Sequence, residues 1–319
     1  MILFCLPPPT RNVTSDLASD LGGSGCTYAS RMAQALTATG HPATVAPGPR
    51  PGCLVVIDGL LLPTLSIADC VGTVALLHHA AVSPGSNTAA TERAWLDRLP
   101  ALGPVICTGQ ATADWVQATF GVTATVVRPG VDPLPATVPA PGTVHVLSAG
   151  RQTVQEGIDL IAALSRLPDL NWTLTIAGLG NDNPAWKSVL AAAIPPAVND
   201  RVSLVQNPSR AVLDALYARA GLFVLLTRSE AYCDAVAEAY VRGVPVVTTA
   251  AGMTDLPLGA LLVDADDAVT LSKVLRRTVH DSGLRHSLSD AAARVGAALP
   301  DWPTQAALFA AALTDKRGA

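Results

Sequence analysis

Short β-branched apolar runs alternate with helix-period segments along the whole chain, and this alternation constrains the fold more than any other feature. Residues 2–6, 43–47, 53–57, 73–77, 104–107 and 124–127 read as strands, and 26–39, 90–98 and 110–120 as helices. Val74-Ala75-Leu76-Leu77 is an unbroken apolar run, as expected of a parallel strand covered on both faces. The pattern breaks at Arg128-Pro129-Gly130-Val131-Asp132-Pro133, and a stretch rich in Pro and Ala follows to Gly142. It then restarts with strands at 144–148, 172–177, 202–205, 222–226, 244–248 and 260–263. Helices at 156–166, 184–193, 209–219, 234–242, 268–280, 284–298 and 303–313 separate or follow them. Repeats of this kind build parallel α/β sheets. Two of them joined by a linker predict two Rossmann-like domains, 1–140 and 141–300, with a last helical segment at 301–319. Ligands of open α/β sheets bind beyond the C-terminal strand ends, so a cleft between two such sheets is the expected site.

Composition narrows the function classes. The 319 residues are 50% hydrophobic and only 14% charged, which excludes a disordered chain. A net charge of -4 argues against a nucleic-acid partner, which calls for a basic surplus. Mean hydropathy is +0.37, yet no apolar run approaches the ~20 residues that cross a bilayer. Cys53 to Leu62 is interrupted by Asp58 and Gly59, and Gly221 to Leu226 ends at Thr227-Arg228. Met1 to Leu6 lacks a basic flank and runs into three prolines, which reads as a first strand rather than a signal peptide. The six cysteines are scattered, with no Cys-x-x-Cys pair. They read as reduced thiols of a cytoplasmic protein with no zinc site.

Three constellations carry chemistry. Gly22-Gly23-Ser24-Gly25 precedes the first long helix. It suits either a phosphate-cradling loop or a tight strand-to-helix turn. It is neither G-x-G-x-x-G nor a Walker loop, which excludes a nicotinamide-dependent oxidoreductase fingerprint. His78-His79 ends an apolar strand. Adjacent strand residues point to opposite faces, so at most one faces the cleft and the two are not a metal pair. A core histidine is the plainer alternative. Finally, Glu230 falls in the loop after strand 222–226, and Glu238 falls on the first turns of the next helix. A carboxylate accepts vicinal hydroxyls, and the helix start between the two suits a diphosphate, although such glutamates also serve as solvent-facing dipole partners.

Ser229-Glu230 to Glu238-Ala239, followed by Gly243-Val244-Pro245-Val246-Val247, resembles the E-x7-E and G-x-P-V-V signature of glycosyltransferase family four. Arg128-Pro129-Gly130-Val131-Asp132 resembles its interdomain junction, and Gly150-Arg151 opens its G-R-x-x-x-x-K-G segment. Ile176-Ala177-Gly178-Leu179-Gly180 and Leu216-Tyr217-Ala218-Arg219-Ala220 resemble two further motifs, in the right order. The resemblance implies a GT-B fold and a retaining transfer of sugar from a UDP- or GDP-linked donor. It implies a donor-sugar role for Glu230, ribose binding by Glu238 and diphosphate contact by Arg151. One of His78 and His79 would sit by the reacting centre. Gly22, Gly23, Ser24 and Gly25 would close over the donor, together with the helix start at Tyr232, Cys233, Asp234 and Ala235. The nucleobase would meet the loop from Arg201 to Asn207, and the last helix would return to the N-domain. No metal or other cofactor is implied. The acceptor, whether a saccharide, another small molecule or a lipid, is left open.

The departures define a second reading. Glu156 stands where the family has a diphosphate-binding lysine, and a like charge there weakens binding unless the side chain turns away. Ala231-Tyr232-Cys233 replaces a glycine-flanked phenylalanine, and Asp234 adds another negative charge. The alternative is a degenerate relative that binds nucleotide or sugar, or acts as a partner subunit, without turnover.

Overall fold

The computed structural model describes residues 1–6, 24–78, 98–99, 102–137, 142–150, 153–178, 185–228 and 232–314. The chain divides into two compact units, Met1–Gly130 with Pro300–Ala319, and Val131–Leu299.

The first unit is built on β1 (Ile2–Cys5), β2 (Ala43–Ala46), β3 (Leu54–Asp58), β4 (Val74–Leu77), β5 (Val105–Cys107) and β6 (Thr125–Val126). They form one parallel sheet in the order β2-β1-β3-β4-β5-β6. Strand order reverses between β1 and β3, so the crevice beyond their C-terminal ends is a topological switch point. Helix α1 (Ser24–Ala38) covers one face through Tyr28, Met32 and Leu36. The short helix α2 (Ile67–Cys70) and helix α3 (Gln110–Phe120) bring Cys70, Ala113 and Val116 to the other.

The second unit contains β7 (Val144–Gly150), β8 (Trp172–Gly178), β9 (Val202–Gln206), β10 (Leu222–Leu225), β11 (Val246–Thr248) and β12 (Leu261–Leu262). Its parallel order is β12-β11-β10-β7-β8-β9, which puts the switch point between β7 and β10. Helices α4 (Val154–Ser165), α5 (Trp186–Ala192), α6 (Arg210–Arg219), α7 (Asp234–Val241), α8 (Ala268–His280) and α9 (Ser282–Ala298) complete this unit. One core cluster gathers Leu160, Leu164, Trp172, Trp186 and Leu275, and the other gathers Tyr217, Phe223, Val236 and Tyr240. The elements read from periodicity are present within a residue or two at most boundaries. Periodicity missed the 3-10 turns at Gly59–Thr64, Pro196–Arg201 and Ala251–Met253, which are too short to show a repeat. The helix expected over 90–98 falls almost wholly outside the described residues.

Helix α10 (Trp302–Thr314) belongs to the first unit. Phe309 meets Phe4 at 5.4 Å between ring centroids, and Trp302 meets Tyr28 at 5.8 Å. Arg31 lies over the Trp302 ring. Gly130 is required by this return. A Cβ there would stand 2.7 Å from the Asp301 carbonyl carbon and nearer still to Trp302 N.

Candidate active site

In the second unit, Glu156, Tyr232, Cys233, Asp234, Ala235 and Glu238 lie on the segments that follow β7 and β10, the two strands of the switch point. β7 ends at Gly150, whose φ of 152° is a left-handed-side conformation that favours glycine. Arg151 follows directly and lies outside the described residues. The chain leaves β10 through Leu226 and Thr227 to Arg228, and Glu230 with Ala231 also lies outside them.

Glu156 turns its carboxylate onto backbone. It sits in the first turn of α4, only 5% exposed. Oε2 accepts the Thr153 N–H at 2.9 Å, the Thr153 hydroxyl accepts the Glu156 N–H at 3.3 Å, and together they form a capping box. Oε1 accepts the Arg228 N–H at 3.3 Å. One side chain therefore ties the loop after β7 to the loop after β10, across the switch point. Burial pushes the Glu156 pKa up, against the lowering by the hydrogen bonds from Thr153 and Arg228. The Arg228 guanidinium adds a second tie, to Asp266 at 2.7 Å and Asp159 at 3.1 Å. The lysine-to-glutamate change read from sequence thus has a structural reason, which the capping pattern Thr153-x-x-Glu156 already carried.

Beyond residues 229–231, Tyr232 and Cys233 are buried in the Tyr217–Phe223 cluster. Cys233 occupies the N-cap position of α7 without capping it by its side chain, and Asp234 opens the helix exposed. Ala235 is half-buried, and its carbonyl accepts the Tyr217 hydroxyl at 2.9 Å.

Glu238 is 26% exposed and belongs to a four-residue charge network. Both its oxygens accept from Arg210, and Oε2 also accepts from Arg242 at 3.3 Å. Asp214 accepts from the same two arginines. Arg242 is 4% exposed and lies 4.6 Å from the Tyr217 ring centroid. The hydrogen bond from Arg210 holds the Asp214 pKa low. Burial works against the Arg210 charge, and its bonds to Asp214 and Glu238 outweigh that and raise its pKa. A carboxylate has about four lone-pair sites, and three are occupied on Glu238. Nothing in the E-x7-E spacing announced Arg210 and Arg242.

The loop expected to meet a nucleobase divides into two roles. Arg201 is structural, donating to the Leu170 and Pro168 carbonyls and stacking over Trp172. Asn207 adopts a φ of 47°, the left-handed conformation that asparagine tolerates best after glycine.

In the first unit, Ser24 and Gly25 open α1, while Gly22, Gly23 and His79 lie outside the described residues. His78 follows β4 with 9% of its side chain exposed. Its Nε2 stands 3.5 Å from Asp58 Oδ2, and Tyr28 packs edge-on at 5.2 Å. Asp58 ends β3, is 3% exposed, and was not singled out by sequence. Its signal was a lone carboxylate closing the apolar run Leu54-Val55-Val56-Ile57. Among the described residues no group of three or more His, Cys, Asp or Glu is placed to hold a metal ion.

The two parallel six-stranded sheets put this chain in the GT-B class of glycosyltransferase folds. Residues 138–295 match the model of the family described as glycosyl transferases group 1. The chain is 32% identical over 122 residues to a D-inositol 3-phosphate glycosyltransferase of Salinispora arenicola, strain CNS-205. That match spans 37% of this chain and 27% of the relative's length. Among solved structures, Anabaena HepE in complex with UDP and glucose superposes with a TM-score of 0.77 at 18% identity, covering 98% of this chain and 99% of that one. A sucrose-phosphate synthase from Thermosynechococcus elongatus gives 0.76 at 17% identity, covering 97% of both chains.

Proposed function

We propose that this protein is a retaining glycosyltransferase of family four type, moving a sugar from a UDP- or GDP-linked donor to a saccharide, other small-molecule or lipid acceptor. The observation that carries this reading is the family match over 138–295, which contains every element around the β7/β10 switch point. In this reading the α7 start and Arg151 hold the diphosphate, Glu238 the ribose and Glu230 the donor sugar. Leaving-group charge is then met by fixed dipoles and a guanidinium, which are worth most where water is excluded. Turnover needs no metal or resident cofactor. A cytoplasmic setting fits six cysteines scattered along the sequence with no Cys-x-x-Cys pair. No helix among the described residues is long and apolar enough to cross a membrane.

One observation favours the second reading, a relative that binds without turnover: Arg210 and Arg242 already occupy the Glu238 carboxylate. Calorimetric titration with UDP and GDP, followed by mass spectrometry of nucleoside diphosphate released from a donor panel, separates the two. Micromolar nucleotide binding with release that survives EDTA and collapses in Glu230→Ala and Arg151→Ala supports the transferase. Binding without release supports the inert relative, and no binding refutes the transferase and favours the degenerate reading in its partner-subunit form.

A further inference from the structure

The charge network on the seam between α6 and α7 closes into a ring. Arg210 pairs with Asp214 and Glu238, and Arg242 pairs with the same two carboxylates. Arg210 opens α6 with Asp214 one turn on, and Glu238 lies one turn into α7 with Arg242 at its end. The donors are spread unevenly over Glu238. Oε2 accepts from Arg210 Nη2 at 3.1 Å and from Arg242 Nη1 at 3.3 Å, whereas Oε1 accepts from Arg210 Nη1. No other donor among the described residues bonds to this carboxylate. A carboxylate oxygen has two lone pairs, so Oε2 is saturated and Oε1 keeps one acceptor site. The two arginines differ in freedom. Arg242 is buried against the Tyr217 ring, and its Nη1 also meets the Glu238 carbonyl at 3.4 Å. Arg210 is half-exposed, and its planar fork spans both Glu238 oxygens, which fixes the plane of the carboxylate.

We propose that Arg210 is the positioning residue for Glu238, and that it limits this carboxylate to one hydroxyl of a nucleotide's ribose, taken on Oε1. An unpaired carboxylate can accept one hydroxyl of a vicinal diol on each oxygen. Here Oε2 has no lone pair left for the second. The ribose role rests on the glycosyltransferase reading, while the hold of Arg210 on Glu238 does not.

Calorimetry compares whichever of UDP and GDP binds with its 2′-deoxy and 3′-deoxy forms. In wild type one deoxy form should bind about 10-fold or more weakly than the parent, as for a lost hydrogen bond to a charged group, and the other within about three-fold. In Arg210→Ala a site opens on each oxygen, so both deoxy forms should bind about 10-fold or more weakly than the parent. In Glu238→Ala neither penalty should remain, and a penalty that survives there belongs to another group and overturns the assignment. Two full penalties in wild type, or the wild-type pattern in Arg210→Ala, also overturn the proposal. Deoxy forms that bind wild type as the parent does overturn it as well, while release of nucleoside diphosphate from a donor leaves the transferase reading standing. Thermal unfolding of Arg210→Ala, Glu238→Ala and the double variant tests the hold without nucleotide. Their losses in melting temperature should be less than additive, because the two side chains share their bonds. Additive losses overturn the hold of Arg210 on Glu238. Where neither nucleotide binds, the transferase reading and the one-hydroxyl limit fall together, and less-than-additive losses uphold the positioning role.

Discussion

Replacing Glu156 by alanine tests the tie across the β7/β10 switch point. The substitution leaves two backbone N–H groups, of Thr153 and Arg228, without their acceptor. Hydrogen bonds to a charged group contribute about 1.5–3 kcal/mol each. Holding the carboxylate in a buried position subtracts from that sum, as its raised pKa records. A net loss of about 3 kcal/mol follows. For a unit of this size it lowers the melting temperature by about 6–12 °C. Glu156→Gln keeps one acceptor and should lose about half as much. Glu156→Lys supplies no acceptor and buries an ammonium, so it should be at least as destabilising as alanine, even though lysine stands there in the motif this segment resembles. The pH dependence follows from the sign of the shift. The folded state holds the Glu156 proton more tightly than the unfolded state. The stability this group contributes is therefore lost as pH rises from its ordinary value of 4.5 through the raised folded value. Calorimetric unfolding of wild type, Ala, Gln and Lys variants between pH 4 and 8 measures both effects. An alanine variant melting within about 2 °C of wild type refutes the tie. A wild-type advantage over Gln that grows with pH across that window refutes the reasoning about the charge.

Gly130→Ala forces a Cβ into the backbone of Asp301 and Trp302. It should cost about 1–3 kcal/mol, read as a lower urea midpoint at constant slope. Arg242→Leu keeps much of the packing against Tyr217 but removes the cation shared by Asp214 and Glu238. It should destabilise the second unit by about 1–3 kcal/mol, less than a fully buried pair because both carboxylates are part-exposed. The same variant frees a lone-pair site on Glu238, so UDP or GDP affinity by calorimetry should not fall; a tenfold loss would show that Arg242 itself contacts nucleotide.

The architecture was legible because parallel strands buried on both faces leave continuous apolar runs, and helices between them leave a different period. Val74–Leu77 and Gln110–Phe120 show this well. Strand order was not legible, since register and neighbour choice depend on contacts far apart in sequence. That is why Asp58 and His78, twenty residues apart, gave no sign of meeting. The candidate-site residues Glu238, Cys233 and Asp234 were legible as residue types at a helix start. The partners of Glu238 were not, because Arg210 and Arg242 reach it from another helix and from the end of its own. Glu156 illustrates a local signal outweighed by a pattern: its place in a family motif drew attention to charge, while the nearer Thr153-x-x-Glu156 spacing described what the side chain does.

The glycine at 130 and the helix that seats against it set the timing of folding during synthesis. The first unit's core includes Ala306, Phe309 and Ala312, which are made only after all of Val131–Leu299. At ~5–20 residues/s the ribosome needs roughly 10–30 s to reach them. Throughout that interval Phe4 and Tyr28 lack the aromatic partners Phe309 and Trp302 that α10 supplies. The second unit is contiguous and has no such wait. The N-terminal half of the gene product is therefore the later of the two to finish its core, and its nascent form is the stage at which a chaperone has an apolar surface to hold.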